Sequence, residues 1–256
     1  MDVTSRFVLD FARRFAAGRE GAVILDFGCG GGALVAAGRA AGLHMYGADI
    51  FFGGSNAREQ AEASGLWGDA IRPISDGRIP FPDAFFQLVV NNQVMEHVED
   101  LDAALREIHR VLIPGGTVLS VFPSSDVWRE GHIGVPFTHR FRKGSRVRFL
   151  YTWAMRSLGL GYWKRQAATR RQWALDKLAW IDAYTRYRPR REIFDVFGRH
   201  FESELREPDY IRFRLRDRKG TAPFARLLDL PLVPAVAGAL LRKAAFLVIV
   251  SRKGRP

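Results

Sequence analysis

The stretch that decides the fold is an apolar run that breaks into glycines, Val23-Ile24-Leu25-Asp26-Phe27-Gly28-Cys29-Gly30-Gly31-Gly32. The apolar run predicts a buried parallel strand, and residues 33–37 after the glycines have helical character. Because glycine adopts positive φ and has no Cβ, the chain can turn tightly there and a ligand can approach the backbone. The stretch therefore predicts a nucleoside-binding loop at the carboxyl end of a strand in an open α/β sheet.

The segments after this loop alternate between strand and helix patterns. A second short apolar run ends at Asp49, where a carboxylate can accept hydrogen bonds from the hydroxyls of a ribose. Three more strands and one helix are predicted, the strands over 70–74, within 79–98 and over 117–122, and the helix over 101–112.

Five motifs in a fixed order connect the chain to a known family: Asp26-Phe27-Gly28-Cys29-Gly30-Gly31-Gly32, Asp49, Pro80-Phe81-Pro82-Asp83, Glu96-His97-Val98 and Arg110-Val111-Leu112-Ile113-Pro114-Gly115-Gly116. In these motifs residues 23–123 resemble the core of a class I S-adenosylmethionine-dependent methyltransferase of the type 11 kind. One position departs, because Phe86-Gln87 stands where the family usually has Phe-Asp. The resemblance implies a Rossmann-like α/β sheet of seven strands, mostly parallel.

The resemblance also implies S-adenosyl-L-methionine as the cofactor and suggests which residues contact it. Gly28, Gly30 and Gly32 would line its methionyl and ribose portion. Asp26 would orient the amino group through the loop, and Asp49 would accept hydrogen bonds from the ribose hydroxyls.

Further contacts are expected at the ends of the next strands. Asp76 follows the third strand and would meet the adenine amino group, with Asp69 as the alternative. Ile50, beside the ribose-binding acid, belongs to the same cofactor set. Asn91 and Gln93, at the end of the fourth strand, would line the methyl-transfer pocket.

The chain is expected to form one methyltransferase domain in three parts. Residues 1–123 are the cofactor-binding core, 124–200 a substrate-recognition insertion or lid after the fifth strand, and 201–256 the C-terminal strands that complete the sheet. Helices are predicted over 146–187 and 190–200, and strands over 210–216 and 244–253.

Four residues are candidates for acid–base chemistry. His132 and His139 lie in the Gly- and Pro-rich loop after the fifth strand, and either could be the general base for a hydroxyl acceptor. The alternative is a lid role for both histidines. Glu96 and His97 start the next helix in the family pattern, where capping and catalysis are equally expected. No metal site is expected, because a third ligand beside the two loop histidines is not evident.

The charge of the chain is divided unevenly. Residues 1–123 have a net charge of −5 and residues 124–256 a net charge of +17, and five of the six tryptophans lie in the second part. A basic, aromatic-rich region suggests an anionic acceptor, an anionic lipid surface or RNA. Genomic composition bias with solvated charges is the alternative explanation.

An apolar run over 227–243 contains two prolines and ends in Arg242-Lys243. It is too short for a transmembrane helix, which needs about 20 apolar residues, but a peripheral membrane contact fits it. The N-terminal segment has an amphipathic pattern without the apolar core of a signal peptide. We therefore expect a cytoplasmic protein that is either free or associated with a membrane.

Three functions remain open from the sequence. The first is O-methylation of a small-molecule, sugar or surface-glycan-related acceptor. The second is RNA methylation, which Asn91-Asn92-Gln93-Val94 disfavours because the N/D-P-P-[YF] tetrad of amino-group methylation is missing. The third is a non-catalytic cofactor-binding scaffold, which the intact cofactor motifs disfavour. The oligomeric state does not follow from these patterns.

Overall fold

A computed structural model of the chain describes residues 1–53 and 55–254. Its seven strands are β1 Val23–Phe27, β2 His44–Asp49, β3 Ile71–Pro73, β4 Phe86–Asn92, β5 Leu112–Phe122, β6 Glu202–Leu205 and β7 Leu247–Arg252. The α-helices are α1 Val3–Ala16, α2 Ala33–Ala40, α3 Ala57–Ala63, α4 Leu101–Val111, α5 Arg146–Ser157, α6 Arg170–Tyr184, α7 Arg190–Phe197, α8 Glu207–Asp217 and α9 Val233–Ala244. Two 3₁₀ segments cover Thr138–Arg140 and Ala222–Asp229.

The strands form one sheet in the order β3-β2-β1-β4-β5-β7-β6. β1 to β5 pair in parallel, and β7 runs antiparallel between β5 and β6. The predicted Rossmann-like sheet of seven strands, mostly parallel, is therefore confirmed. Because β1 and β4 are central neighbours, the loops that follow them meet at the carboxyl edge of the sheet.

Each face of the sheet is covered by its own apolar layer. One face packs against α4 and α7, through residues such as Leu105 and Phe197. The other packs against α1, α2 and α8, through Phe7, Leu34 and Tyr210. Both layers fix the central strands, so the loops at the carboxyl edge start from rigid positions.

Gln87, the departure from the family pattern, has a clear structural role. Its side-chain Oε1 accepts a hydrogen bond of 2.6 Å from the backbone N–H of Val23, the first residue of β1. An uncharged amide therefore satisfies the donor at the start of β1, and the departure leaves the sheet intact.

The prediction of a strand over residues 210–216 is wrong. This segment lies in α8, and β6 is instead the short edge strand Glu202–Leu205. Tyr210 and Phe213 are three residues apart and both contact the ring of Phe7, at centroid distances of 5.2 and 5.6 Å. Pro208 lies in the first turn, where it favours a helix start, so packing at helical spacing outweighs the alternating pattern.

The insertion also differs from the continuous helical region predicted over 146–187. The helices α5 and α6 are separate, because Gly159 and Gly161 have φ of +90° and +98° between them. A Cβ on Gly161 would lie 2.7 Å from the Trp173 ring, so glycine permits this close packing. Trp173 is the centre of a small core that joins the two helices to the loop containing Ile133.

The segment after β6 consists of helices as well as the last strand. Among the described residues, no single helix is long and apolar enough to cross a membrane. The 3₁₀ segment Ala222–Asp229 and α9 meet the length and composition requirement only as a pair, bent by 114°. The C-terminal part of the fold therefore contains two strands and, between them, α8, the 3₁₀ segment and α9.

Candidate active site

The loop after β1 has the geometry that its glycines predict. Gly28, Gly30 and Gly32 all have positive φ, between +52° and +80°. A Cβ on Gly28 would lie 2.4 Å from Val94, so this position requires glycine. A Cβ on Gly30 would meet no described atom within 4 Å, so the backbone there faces open space. The loop packs tightly on one side and leaves room for a ligand on the other.

Asp49 ties this loop to the end of β2. Its Oδ2 accepts a hydrogen bond of 2.9 Å from the Gly30 N–H, and its Oδ1 accepts one of 2.7 Å from the Phe51 N–H. Each carboxylate oxygen has a second lone pair, so the group can also accept from two hydroxyls. The next residue, Ile50, is 64% exposed and lies at the same edge.

Asp26 lies beneath the loop and does not face the surface. It is buried, and burial, with a smaller contribution from the charge of Asp49, raises its pKa to about 8. This position is compatible with the indirect role, through the loop, that the resemblance predicts.

The two candidate acids for adenine lie at opposite edges of the sheet. Asp76 is exposed, follows β3 at the carboxyl edge, and has a φ of +52°. Asp69 precedes β3 and lies 3.7 Å from the Arg39 guanidinium near the end of α2. The glycine loop and Asp76 share one edge, so Asp69 lies on the wrong side for the predicted contact.

Asn91 and Gln93 were both expected to line the methyl-transfer pocket, but the structure separates them. Asn91 is fully buried, and its Nδ2 donates a 2.9 Å hydrogen bond to the Ser120 hydroxyl. It therefore supports the strand from within the sheet. Gln93 is exposed just beyond β4, with φ of +58°, and only this residue of the two can contact a ligand there.

Glu96 and His97 do not cap a helix. The N-cap of α4 is Asp100, whose side chain accepts a hydrogen bond from the Ala103 N–H. Glu96 and His97 lie in the preceding turn, where ligand atoms of both residues and of His132 fall within 4.8 Å of one another. The insertion thus brings one loop histidine to the turn after β4, and sequence spacing gave no sign of this pairing.

The His132 ring is held by a buried acid. Its Nδ1 lies 2.7 Å from Glu130 Oε1, and the same oxygen accepts a 2.6 Å hydrogen bond from the Tyr187 hydroxyl. Glu130 Oε2 accepts a bond of 2.6 Å from the Ile133 N–H. Burial would raise the pKa of Glu130, but the hydrogen bonds and the charge of His132 lower it below the ordinary value. Burial lowers the pKa of His132, but Glu130 outweighs it and the pKa is raised.

His139 has a different environment. Its Nε2 lies 3.2 Å from the Ser125 carbonyl oxygen, and its ring lies 5.1 Å from that of Tyr187. Burial lowers its pKa, and the charge of Arg140 lowers it by a smaller amount. His139 is therefore neutral near pH 7 but lies outside the cluster formed by the other histidine.

Glu96 is the least satisfied group of the site. Its side chain is 1% exposed, and neither carboxylate oxygen has a hydrogen-bond partner among the described residues. Burial raises its pKa to about 8. An unpaired buried carboxylate is costly, so this group needs a proton or a cation that the side chains around it do not supply.

The insertion lies directly on the glycine-loop side of the sheet. The ring of Tyr184 in α6 lies 5.1 Å from that of Phe52, three residues after Asp49. The Arg186 N–H donates a 2.6 Å hydrogen bond to the carbonyl oxygen of Glu96. The insertion is thus in direct contact with the segments that follow β2 and β4.

Some of the basic residues of the insertion have structural partners. Arg148 is buried, donates to the Thr138 carbonyl at 3.0 Å, and forms an ion pair with Asp182. Arg188 donates to the carbonyl oxygens of Val98 and Glu99 at 2.8 and 2.6 Å. Part of the positive charge therefore stabilises the fold and is not free to bind an anion.

Comparison with known proteins agrees with this geometry. Residues 25–120 match the family model described as methyltransferase domain. Curated relatives include a malonyl-[acyl-carrier protein] O-methyltransferase of Erwinia billingiae, 36% identical over 117 residues that cover 45% of each chain. A ubiquinone biosynthesis O-methyltransferase of Maricaulis maris is 30% identical over 135 residues, 48% of this chain and 53% of that protein. The chain spans about half the length of these relatives.

A solved structure extends the similarity to the fold as a whole. An S-adenosylmethionine-dependent methyltransferase from Mesorhizobium loti is 19% identical, with a TM-score of 0.52 over 96% of this chain and 100% of that one. At this identity the match concerns the fold. The insertion and its histidines lie outside the residues matched by the family model.

Proposed function

We propose that the protein methylates an acceptor oxygen with S-adenosyl-L-methionine. The match of residues 25–120 to the methyltransferase-domain family model and the class I methyltransferase fold of the described chain support this proposal. The acceptor is a small molecule with a hydroxyl or carboxyl group. Both curated relatives named above are O-methyltransferases, which favours oxygen as the methylated atom, whereas other curated relatives are C-methyltransferases. Their names do not support the sugar or surface-glycan acceptor expected from the sequence.

The observation that carries the proposal is the hydrogen bond between Asp49 and the Gly30 N–H beside open space. Gly28, Gly30 and Gly32 would line the methionyl and ribose portion of the cofactor, and Asp49 would accept from its ribose hydroxyls. Asp76, at the same edge, would meet the adenine amino group. When bound, the cofactor supplies an activated methyl group that carries its own leaving group.

The acceptor would lie between the glycine loop and the insertion. There the protein has to hold the acceptor oxygen in line with the methyl group. It also has to remove the proton of the acceptor hydroxyl or lower the pKa of that hydroxyl. Glu96, His97 and His132 are the polar side chains at this position, and the rings of Tyr184 and Trp180 pack beside them. His132 remains the better candidate base, because Glu130 fixes its ring and leaves Nε2 available.

A peripheral membrane contact is the second part of the proposal. Around the bend between Ala222–Asp229 and α9, large apolar side chains are exposed: Phe224, Leu227, Leu230, Leu232, Val236 and Leu240. Leu232, at the bend itself, is 79% exposed and has a φ of +66°, an unusual backbone for leucine. Exposed Arg226 lies within this patch in sequence, and exposed Lys243 follows it. Apolar residues with flanking cations fit an anionic lipid surface.

The function is tested with cofactor carrying a labelled methyl group. The labelled cofactor is incubated with the purified protein and with metabolite extract from a strain that lacks it, and the product is identified by mass spectrometry. We expect an O-methylated small molecule that is absent when Asp49→Ala replaces the wild type. Methylation of purified tRNA or rRNA that depends on Asp49 would instead establish the RNA function. Cofactor binding without any transfer would favour the scaffold.

A further inference from the structure

The cluster of Glu96, His97 and His132 has the composition of a metal site. It offers one carboxylate oxygen and two imidazole nitrogens within 4.8 Å of one another. The two rings are 5.1 Å apart at an angle of 71°. The ligands come from the turn after β4 and from the insertion, so they meet only in the folded chain.

The hydrogen bonds of both histidines fix which nitrogen is free. His97 Nδ1 lies 2.7 Å from the Tyr184 carbonyl oxygen, and His132 Nδ1 lies 2.7 Å from Glu130 Oε1. Carbonyl and carboxylate oxygens accept, so each Nδ1 carries the hydrogen. In the neutral rings each Nε2 then has a free lone pair. Metal-binding histidines usually donate their second N–H to a carbonyl or carboxylate in this way.

Glu96 supplies the independent observation that points to a cation. It is 1% exposed, and both of its oxygens are without a hydrogen-bond partner among the described residues. Glu130, by contrast, has both oxygens occupied by Ile133, His132 and Tyr187, so it supports the cluster from behind and does not bind the same ligand. The orphan carboxylate and the two free nitrogens together match what a divalent cation requires.

We propose that Glu96, His97 and His132 bind a divalent first-row transition metal ion, with Zn²⁺ as the reference ion. Two imidazole ligands favour such ions over Mg²⁺ and Ca²⁺, which prefer oxygen. Three protein ligands leave at least one coordination position open.

The inference deepens the proposed function and rests on it for its biological role. The open position would take the acceptor oxygen and lower the pKa of its hydroxyl. His132 would then be a metal ligand in place of the general base. The acceptor hydroxyl would release its proton to water, its oxygen would take the methyl group, and S-adenosylhomocysteine would leave. No metal site was expected from the sequence, because no third ligand beside the two loop histidines was evident. In this proposal the turn after β4 supplies the further ligands, Glu96 and His97.

The test uses the full chain, stripped of metal with EDTA and titrated with Zn²⁺ by calorimetry and with Co²⁺ by visible absorption. We expect one ion per chain for the wild type and for His44→Ala, an exposed histidine outside the cluster. His132→Ala and the near-isosteric Glu96→Gln should lose the site. Glu130→Gln, which removes the charge that holds His132 but no proposed ligand, should weaken binding by about 10- to 100-fold.

Folding of each variant is checked by circular dichroism, and Zn²⁺ should raise the Tm of the wild type but not of Glu96→Gln. If the wild type binds neither ion, or if Glu96→Gln and His132→Ala bind like the wild type, the metal site is refuted. Binding of S-adenosylmethionine in EDTA separates the two proposals. Methyl transfer at an unchanged rate without metal would refute the role of the ion in the reaction and leave the proposed function intact, whereas failure to bind the cofactor would refute the proposed function.

Discussion

His97 Nδ1 and the Tyr184 carbonyl oxygen are 2.7 Å apart, although 87 residues separate them in the chain. This hydrogen bond joins the turn after β4 to the end of α6, so the insertion is fixed to the cofactor-binding core at the proposed acceptor site. Because Nδ1 of His97 donates this hydrogen bond, Nε2 is the nitrogen left free. The folded insertion therefore determines which nitrogen of His97 can bind a ligand.

Asp49 provides the most direct test of the cofactor site. Asp49→Ala removes charge-assisted hydrogen bonds to the ribose and should weaken S-adenosylmethionine binding by roughly 2–3 kcal/mol, or about 30- to 150-fold. Calorimetry measures this affinity, with Asp69→Ala as the control at the opposite edge of the sheet. An unchanged affinity for Asp49→Ala would remove the ribose assignment.

The two loop histidines should differ in their kinetic effects. His132→Ala should keep cofactor affinity and lower turnover by about 10²- to 10⁴-fold at saturating acceptor, whether His132 is a base or a ligand. His139→Ala should mainly raise the KM for the acceptor, because its ring packs against Tyr187 outside the cluster. Equal losses of turnover in both variants would place His139 in the chemistry as well.

Asp26 should make the stability of the protein depend on pH. Its pKa is about 8 in the folded chain and has an ordinary value of 3.8, so between these values the folded state binds more protons than the unfolded state. The contribution of Asp26 to the free energy of unfolding should therefore be greatest below about pH 4. It should be lost as the pH rises towards about 8. Asp26→Asn should flatten this part of the profile in urea unfolding, whereas Asp69→Asn, on an exposed acid, should not. A wild-type slope in Asp26→Asn would show that other groups dominate.

Phe7 joins α1 to α8 beneath the sheet. Its side chain is fully buried against Tyr210 and Phe213, so Phe7→Ala should lower the free energy of unfolding by about 3–5 kcal/mol. The control is Phe224→Ala on an exposed ring, which should change it by less than about 0.5 kcal/mol. Urea unfolding of the three proteins measures both values, and a small effect at Phe7 would contradict the helical packing of α8.

The apolar bend should bind anionic membranes. Wild-type protein should sediment with vesicles that contain phosphatidylglycerol more strongly than with neutral vesicles, and added salt should weaken this binding. Leu232→Glu should abolish it, while Leu158→Glu, at an equally exposed leucine of the insertion, should not. Binding that survives Leu232→Glu would place the lipid contact elsewhere or attribute it to charge alone.

The sequence predicted the parts of the fold that local patterns determine. The strand before Gly28, the acid at the end of β2 and the helix from Leu101 follow from apolar spacing and glycine geometry. The prediction for residues 210–216 was wrong because this segment fits two patterns. Its apolar and basic residues alternate as in a strand, but Tyr210 and Phe213 also have the three-residue spacing of a helix face. The contact of both rings with Phe7 favours the helix. Such a long-range contact is not visible in a local pattern.

The site was predictable to a similar extent. The glycine loop and Asp49 are identified by their motifs, whereas the burial of Asn91 depends on Ser120 in the neighbouring strand. The pairing of Glu96 and His97 with His132 depends on how the insertion folds back. No local pattern indicated this pairing, and the hydrogen bond from His132 to Glu130, two residues earlier, became evident only in the structure.

The position of β7 between β5 and β6 has a consequence for how the chain is made. β6 leaves the ribosome before β7, and among the described strands it pairs only with β7. Until residues 247–252 emerge, β6 has no strand partner and the edge of β5 stays open to other chains. The growing polypeptide therefore passes through a stage in which its cofactor half can fold while its sheet is still unprotected, and a pause before residue 247 would prolong the risk of aggregation.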